Sequence, residues 1–329
     1  MNTKEKSNKL YWLIAIAIVL WISSWIFIDL KYSNLTERGS FGDKFGFINS
    51  LFSGLALAGI IYSIFLQQKE LSHQRTELKE TKEEFKDQNF QTTFFNLLKI
   101  QNQLANDISA TIGDLSSYDK ENYKEIIGRK FFNQSKFQLL RINKALDSIR
   151  YSNYSRWTEE DNYEHGPSNS WDAEDLTKSM KQAFTLKYFQ IDKDMWENSK
   201  EQSPIERAER LYAIFFNKFH FAIGHYFRHI YHILLFVEET EKEKITKTND
   251  VREKEKIQKD FKQYAEFIQA QMSTPELFLL FYNALSFPKL QRLLIKYNTL
   301  ENLPIEDLIS EEHNVIEGIN LKSRRELLK

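Results

Sequence analysis

Two uncharged runs near the start of the chain, Leu10 to Ile28 and Phe45 to Leu66, constrain all that follows. They are nineteen and twenty-two residues long, and at about 1.5 Å per residue each can cross about 30 Å of hydrocarbon. Neither shows the polar face that a core helix of a soluble protein keeps. The first also continues through Trp21, Trp25, Ile26 and Phe27 with no small-residue cleavage site, unlike a signal peptide. The pattern predicts a two-helix transmembrane hairpin over residues 10–66, with spans at about 10–28 and 45–66.

Lysine and arginine set the expected orientation. Lys4, Lys6 and Lys9 precede the first span and Lys69, Arg75, Lys79 and Lys82 follow the second, against Lys31, Arg38 and Lys44 between them. The excess predicts that the N-terminal tail (1–9) and everything after the hairpin lie inside. The external loop carries the sequon Asn34, Leu35, Thr36, a three-residue match that matters only in a secretory setting. In the second span Gly46, Ser50, Gly54 and Ala58 recur every four residues, giving one face on which another backbone can approach closely. That face either receives the first span or packs against another copy, and it predicts an oligomer in the second case.

After Leu66 the chain turns abruptly polar, with no Gly or Pro to end the helix, so a charged stalk helix is expected over 67–90. Ile64, Leu71, Leu78 and Phe85 keep a seven-residue spacing, while Gln74, Thr81 and Gln88 between them are polar: half of a coiled-coil seam. From Phe90 an apolar stripe through Phe94, Leu97, Leu98 and Leu104 opens a large cytoplasmic domain over 91–329. With 10 Gly and 5 Pro in 329 residues, turn chemistry is scarce and the fold class expected is all-α.

Inside that domain, Gly166 to Trp171 with Glu159, Glu160 and Asp161 nearby reads as a solvated loop. Ser203, Pro204 and Glu206 form a capping box that opens a long helix to about Val237. Its apolar run carries Lys218, Arg228 and four histidines, and a central cation costs about 2.5 to 3.5 kcal/mol in a membrane. It is therefore expected as the buried hub of the domain and not a third span. Glu238 to Asp260 reads as a solvated charge run, and Thr274, Pro275 and Glu276 open a further helix that breaks at Pro288.

The chemistry on offer is thin. Cysteine is absent, which excludes thiolate metal sites, cysteine nucleophiles and disulfides. Charges balance, 45 basic against 46 acidic, so no global field draws nucleic acid and no specific nucleic-acid binding is indicated. His225, His229 and His232 fall on one helical stripe and form a weak candidate for a zinc site, but one helix rarely supplies three ligands and the metalloprotease glutamate is missing. Phosphate loops, nucleophile elbows and dinucleotide fingerprints are absent, so no catalytic residue and no cofactor can be assigned.

Three stretches together resemble a bacterial family of phage abortive infection proteins (AbiC-like). They run from Phe41 through "FGFINSLFSGLALAGIIYSIFLQQKEL" into "TFFNLLKIQNQL", from Gly224 to Val237 ("GHYFRHIYHILLFV"), and from Pro275 to Leu303 ("PELFLLFYNALS" and "KYNTLENL"). The resemblance implies antiviral defence in a bacterial inner membrane, in which an infected cell is stopped or killed before phage are released. It implies no catalytic residues; Tyr226, Phe227, Arg228 and Tyr231 lie in the best-matching segment. A phage-derived trigger or a partner defence protein would then act on the cytoplasmic domain, with the lipid bilayer as target. The alternatives are a membrane-tethered enzyme, such as a nuclease, and a scaffold that recruits another effector.

Overall fold

A computed structural model describes residues 3–31, 35–115, 121–148, 151, 173–200, 202–314 and 316–328. The loop expected at 159–171 and the sequon at Asn34 lie outside these residues, as do the side chains of Lys4, Lys6, Lys9 and Arg38. The chain divides into two compact units, Met1–Lys86 and Asp87–Lys329.

The first unit is helical. Helix α1 spans Thr3–Lys31, and α2 spans Leu35–Asp107, its first part belonging to this unit. Among the described residues one helix is long and apolar enough to cross a membrane, the stretch Gly39–Asp107 of α2, and its apolar window is wholly exposed. The expected first span lies within α1, where the side chains of Leu10, Tyr11, Leu13, Ile14 and Ala17 are outside the described set. Gly46, Ser50, Gly54 and Ala58 are all exposed, and a Cβ added at Gly46 or Gly54 would meet no atom within 4 Å.

The second unit holds the end of α2, a hairpin of β1 (Ser109–Leu115) and β2 (Glu121–Ile127), and helices α3 (Lys130–Asp147), α4 (Ala173–Tyr188), α5 (Lys193–Asn198), α6 (Pro204–Thr246), α7 (Val251–Ala270), α8 (Thr274–Ser286), α9 (Pro288–Tyr297) and α10 (Arg324–Leu327). The protein is thus mainly helical, with one departure from the all-α expectation. The hairpin is antiparallel, with Ser109 opposite Ile127 and Leu115 opposite Glu121. It buries Ala110 and Ile112 on one face and Gly113 and Leu115 on the other. The outer carbonyls of β1 are taken up by side chains: the Tyr188 hydroxyl donates to Thr111 O at 3.0 Å and Arg141 Nη1 to Gly113 O at 2.7 Å. Only glycine fits at 113, because a Cβ there would stand 2.7 Å from the Tyr188 ring. Gly128, at φ 65°, makes the turn from β2 into α3.

Helix α6 is the hub. Ser203 and Glu206 close a capping box at its start, with Pro204 at the first helical position. Leu211, Phe215, Phe219, Ile223, Tyr226, Ile230, Ile233 and Leu234 are buried along it. At 43 residues it is about 65 Å long, and it continues nine residues past Val237, where an end was expected. Helix α8 is buried from Glu276 to Leu285 and is apolar on every side except where Glu276, Tyr282 and Asn283 find hydrogen-bond partners. The end of α2 joins this core through Phe90, Phe94 and Leu98, with Phe94 edge-on to Tyr264 of α7 at 4.9 Å between ring centroids.

Candidate functional site

Two clusters of polar groups inside the core centre on buried carboxylates. Glu276 sits at the start of α8, its side chain 1% exposed. The Ser273 backbone N–H and hydroxyl donate to its Oε2 at 2.8 and 2.6 Å, completing the cap of the helix. The same oxygen takes Arg129 Nη1 at 2.6 Å, while Oε1 accepts the Tyr226 hydroxyl at 2.9 Å. Arg129 comes from the turn before α3 and also reaches Asn102 of α2 at 2.7 Å and the Gln271 carbonyl at 3.2 Å. One carboxylate thereby ties α2, α3, α6 and α8 together. Burial, with the Glu276 carboxylate adding to it, pushes the Tyr226 hydroxyl well above its ordinary range, so it stays a donor.

One turn on from Tyr226, His229 Nδ1 is 2.8 Å from Gln101 Oε1 of α2. Burial lowers the His229 pKa, and His232 nearby lowers it further. His225 and His232 are exposed, and among the described residues no group of three or more His, Cys, Asp or Glu side chains is placed to hold a metal ion. Of the segment singled out by resemblance, Tyr226 and Phe227 are buried, Tyr231 is half-buried against the core, and Arg228 points to the exposed side of α6. The stripe thus divides into inward Tyr226 and Phe227 and outward His225, Arg228 and His232.

The second cluster lies between α6 and α9. Glu238 and Glu241, each with a side chain 3% exposed, stand one helical turn apart. Arg292 holds Glu238 in a two-pronged pair at 2.6 and 2.8 Å, and Lys296 spans both carboxylates, 2.6 Å from Glu241 and 3.4 Å from Glu238. The Tyr297 hydroxyl donates to Glu241 at 2.6 Å. The Arg292 hydrogen bond, with Lys242 and Lys296 nearby, holds the Glu238 carboxyl down at about 2. At these two glutamates the reading of Glu238 to Asp260 as a solvated charge run fails, whereas from Lys242 to Asp260 no residue is buried. Lys242, four residues on, also pairs with Glu238 at 3.1 Å, but Arg292, Lys296 and Tyr297 lie 54 and more residues away in sequence, and no local pattern marks their approach.

The sequence also gave no warning of Arg129, which sits just after a strand in a stretch with no periodicity. Glu276 was visible only as a helix cap; its second role needs Tyr226 and Arg129 in place. A cleft of about 510 Å³ opens between α2, α6 and α7, lined by Asp87, Phe90, Phe95, Lys244, Phe261 and Tyr264 among others. Lys244 pairs with Asp87 at 2.7 Å across it.

These features describe a mainly helical protein that carries one exposed, membrane-length apolar helix and whose core is cross-tied by buried carboxylates, with no metal cluster among its described residues. Residues 218–308, from the middle of α6 through α9, match the family model described as "Putative phage abortive infection protein" (putAbiC), so that over this segment the chain is AbiC-like. Tyr226, Glu276 and the whole Glu238–Arg292 cluster fall inside the match; Arg129 and Gln101 fall outside it. No curated protein and no solved structure matches the chain.

Proposed function

We propose that the protein is a bacterial abortive-infection effector, anchored in the inner membrane by a hairpin of α1 and α2, that halts or kills an infected cell by compromising that membrane. The observation that carries the reading is the conjunction of the family match over residues 218–308 with an apolar stretch of α2 that nothing covers. A water-soluble protein rarely leaves a patch of that size open, and a lipid bilayer is the occupant its length fits. On this reading both ends of the chain face the cytoplasm, the domain built on α6 and α8 senses infection directly or through a partner, and several copies assemble. The open face of Gly46, Ser50, Gly54 and Ala58 supports assembly, since small residues let helix backbones meet in lipid.

Sensing need only shift an equilibrium between two packed arrangements by a few kcal/mol. The test is single-cell imaging of infected bacteria with a voltage-sensitive dye. The membrane potential collapses before lysis in cells that carry the protein and persists in cells that lack it. If growth stops while the potential holds, the killing step is not permeabilisation, and a tethered enzyme or a recruited effector takes its place.

A further inference from the structure

The stretch of α2 from Ser50 to Phe85 is exposed along its whole length, and its exposed residues are not randomly arranged. Ser50, Leu57, Ile64, Leu71, Leu78 and Phe85 follow one another at seven-residue intervals, and Leu57, Ile64, Leu71, Leu78 and Phe85 are 47 to 69% exposed. If this row takes the first position of a heptad, the fourth is held by Gly46, Ser53, Ile60, Gln67, Gln74 and Thr81. The two positions flanking such a seam then show a strict division of charge. Glu70, Glu77 and Glu84 hold the seventh position, and Arg75 and Lys82 hold the fifth. Among the described residues Arg75, Glu77, Lys82 and Glu84 have no ion-pair partner within the chain.

We propose that α2 pairs with α2 of a second copy as a parallel, in-register, two-stranded coiled coil running from the small residues of the apolar stretch down through Phe85. The proposal rests on the assembly step of the function given above and names its partner and geometry. The occupant is a second copy because the charge pattern is self-complementary. In a parallel pair a seventh-position side chain faces the fifth position of the next heptad on the other strand, which sets Glu70 against Arg75 of the second copy and Glu77 against Lys82 of the second copy. An antiparallel pair would set these glutamates against one another. Two copies inserted the same way in one bilayer can align only in parallel.

The seam also changes character where it should. In the apolar stretch its first and fourth positions include Gly46, Ser50 and Ser53, with Gly54 beside them at a fifth position and Ala58 off the seam at a second, and these small residues permit close backbone approach where water supplies no drive. Below it the first positions are Leu71, Leu78 and Phe85, which bury apolar area once water is present. Gln67, Gln74 and Thr81 interrupt that burial, so the coil holds weakly by itself, and confinement of both strands to the membrane supplies the missing effective concentration.

The chain has no cysteine, so single-cysteine variants report proximity without background. Full-length Gln74→Cys, Leu78→Cys and Thr76→Cys are oxidised in membranes from uninfected cells. Gln74→Cys and Leu78→Cys give disulfide-linked dimers, and Thr76→Cys, on the outer face, does not. Adding Glu77→Lys to Leu78→Cys lowers the linked fraction severalfold, and adding Lys82→Glu to that chain restores it. Equal linkage at Thr76, or failure of the charge swap to restore it, overturns the proposal. Because no phage is present, linked dimers in a protein that gives no protection would sink the proposed function and leave the coil standing.

Discussion

The Tyr226 hydroxyl donates to Glu276 Oε1 at 2.9 Å while the other oxygen of the same carboxylate closes the cap of α8. A residue that the sequence offers as a helix start is therefore also the tie between α6 and α8. Tyr226→Phe removes one donor and keeps the ring packed against Phe132, with Arg129 and Ser273 still on the carboxylate. The expected loss is about 1 to 2 kcal/mol of unfolding free energy. Glu276→Ala strips the cap and removes the acceptor of the Tyr226 hydroxyl and the carboxylate beside Arg129, which keeps Asn102 and the Gln271 carbonyl, so a larger loss of about 2 to 4 kcal/mol is expected. Chemical denaturation of the full chain in detergent checks the order, and equal losses for the two variants would contradict it.

The Glu238 cluster predicts a pH dependence with a definite sign. The folded carboxyl sits at about 2, below its ordinary 4.5. Its contribution is present in full above the unfolded value and is lost as pH falls from about 4.5 through about 2, because the unfolded chain binds the proton first. Glu238→Gln should therefore flatten the melting temperature against pH between 5 and 2 relative to the parent chain. An unchanged slope would show that the Arg292 pair does not hold in solution.

Gly54→Ala isolates the membrane face. A Cβ at this position meets nothing within 4 Å in the single chain, and alanine favours helix by about 1 kcal/mol over glycine. Melting of the α6 core should not move. Protection against phage, read by plaque counts, should fall when a bulkier Gly54→Leu is used, since the added side chain holds a second backbone away from this face. Full protection in Gly54→Leu would remove this face from the assembly.

Arg228 is exposed in a segment whose neighbours Tyr226 and Phe227 are buried. Arg228→Ala should change stability by less than about 0.5 kcal/mol, as surface substitutions do, yet lower phage protection, whereas Phe227→Ala should lower both by creating a cavity. His225→Ala and His232→Ala should leave stability equally untouched. Plaque counts beside thermal melts of each variant separate the cases; a destabilised Arg228→Ala would mean its role is packing.

What the sequence disclosed follows the range of the forces involved. The capping box at Ser203 and Glu206, the proline starts at Pro204 and Pro275, and the apolar stripe of α6 are local patterns, and each is found where it was read. The family resemblance was legible in Gly224–Val237 and Pro275–Leu303, both within the matched segment. The β hairpin escaped because Glu121–Ile127 is exposed at every position but Ile126 and shows no alternation. Glu238 and Glu241 escaped because burial of a charge is decided by its partner, and Arg292 and Lys296 approach from a different helix.

The matched segment opens at residue 218, well inside α6, and leaves behind the cap at Ser203 together with Leu211, Tyr212 and Phe215. What this chain shares with the matched family model is accordingly a slice through a single interior and not a detachable module. Cut out alone, residues 218–308 would expose the raw flank of their longest helix and lose Arg129 from the Glu276 knot. Grafts between relatives should therefore exchange everything from Asp87 onward, since a swap at the family boundary divides a helix that cannot be halved.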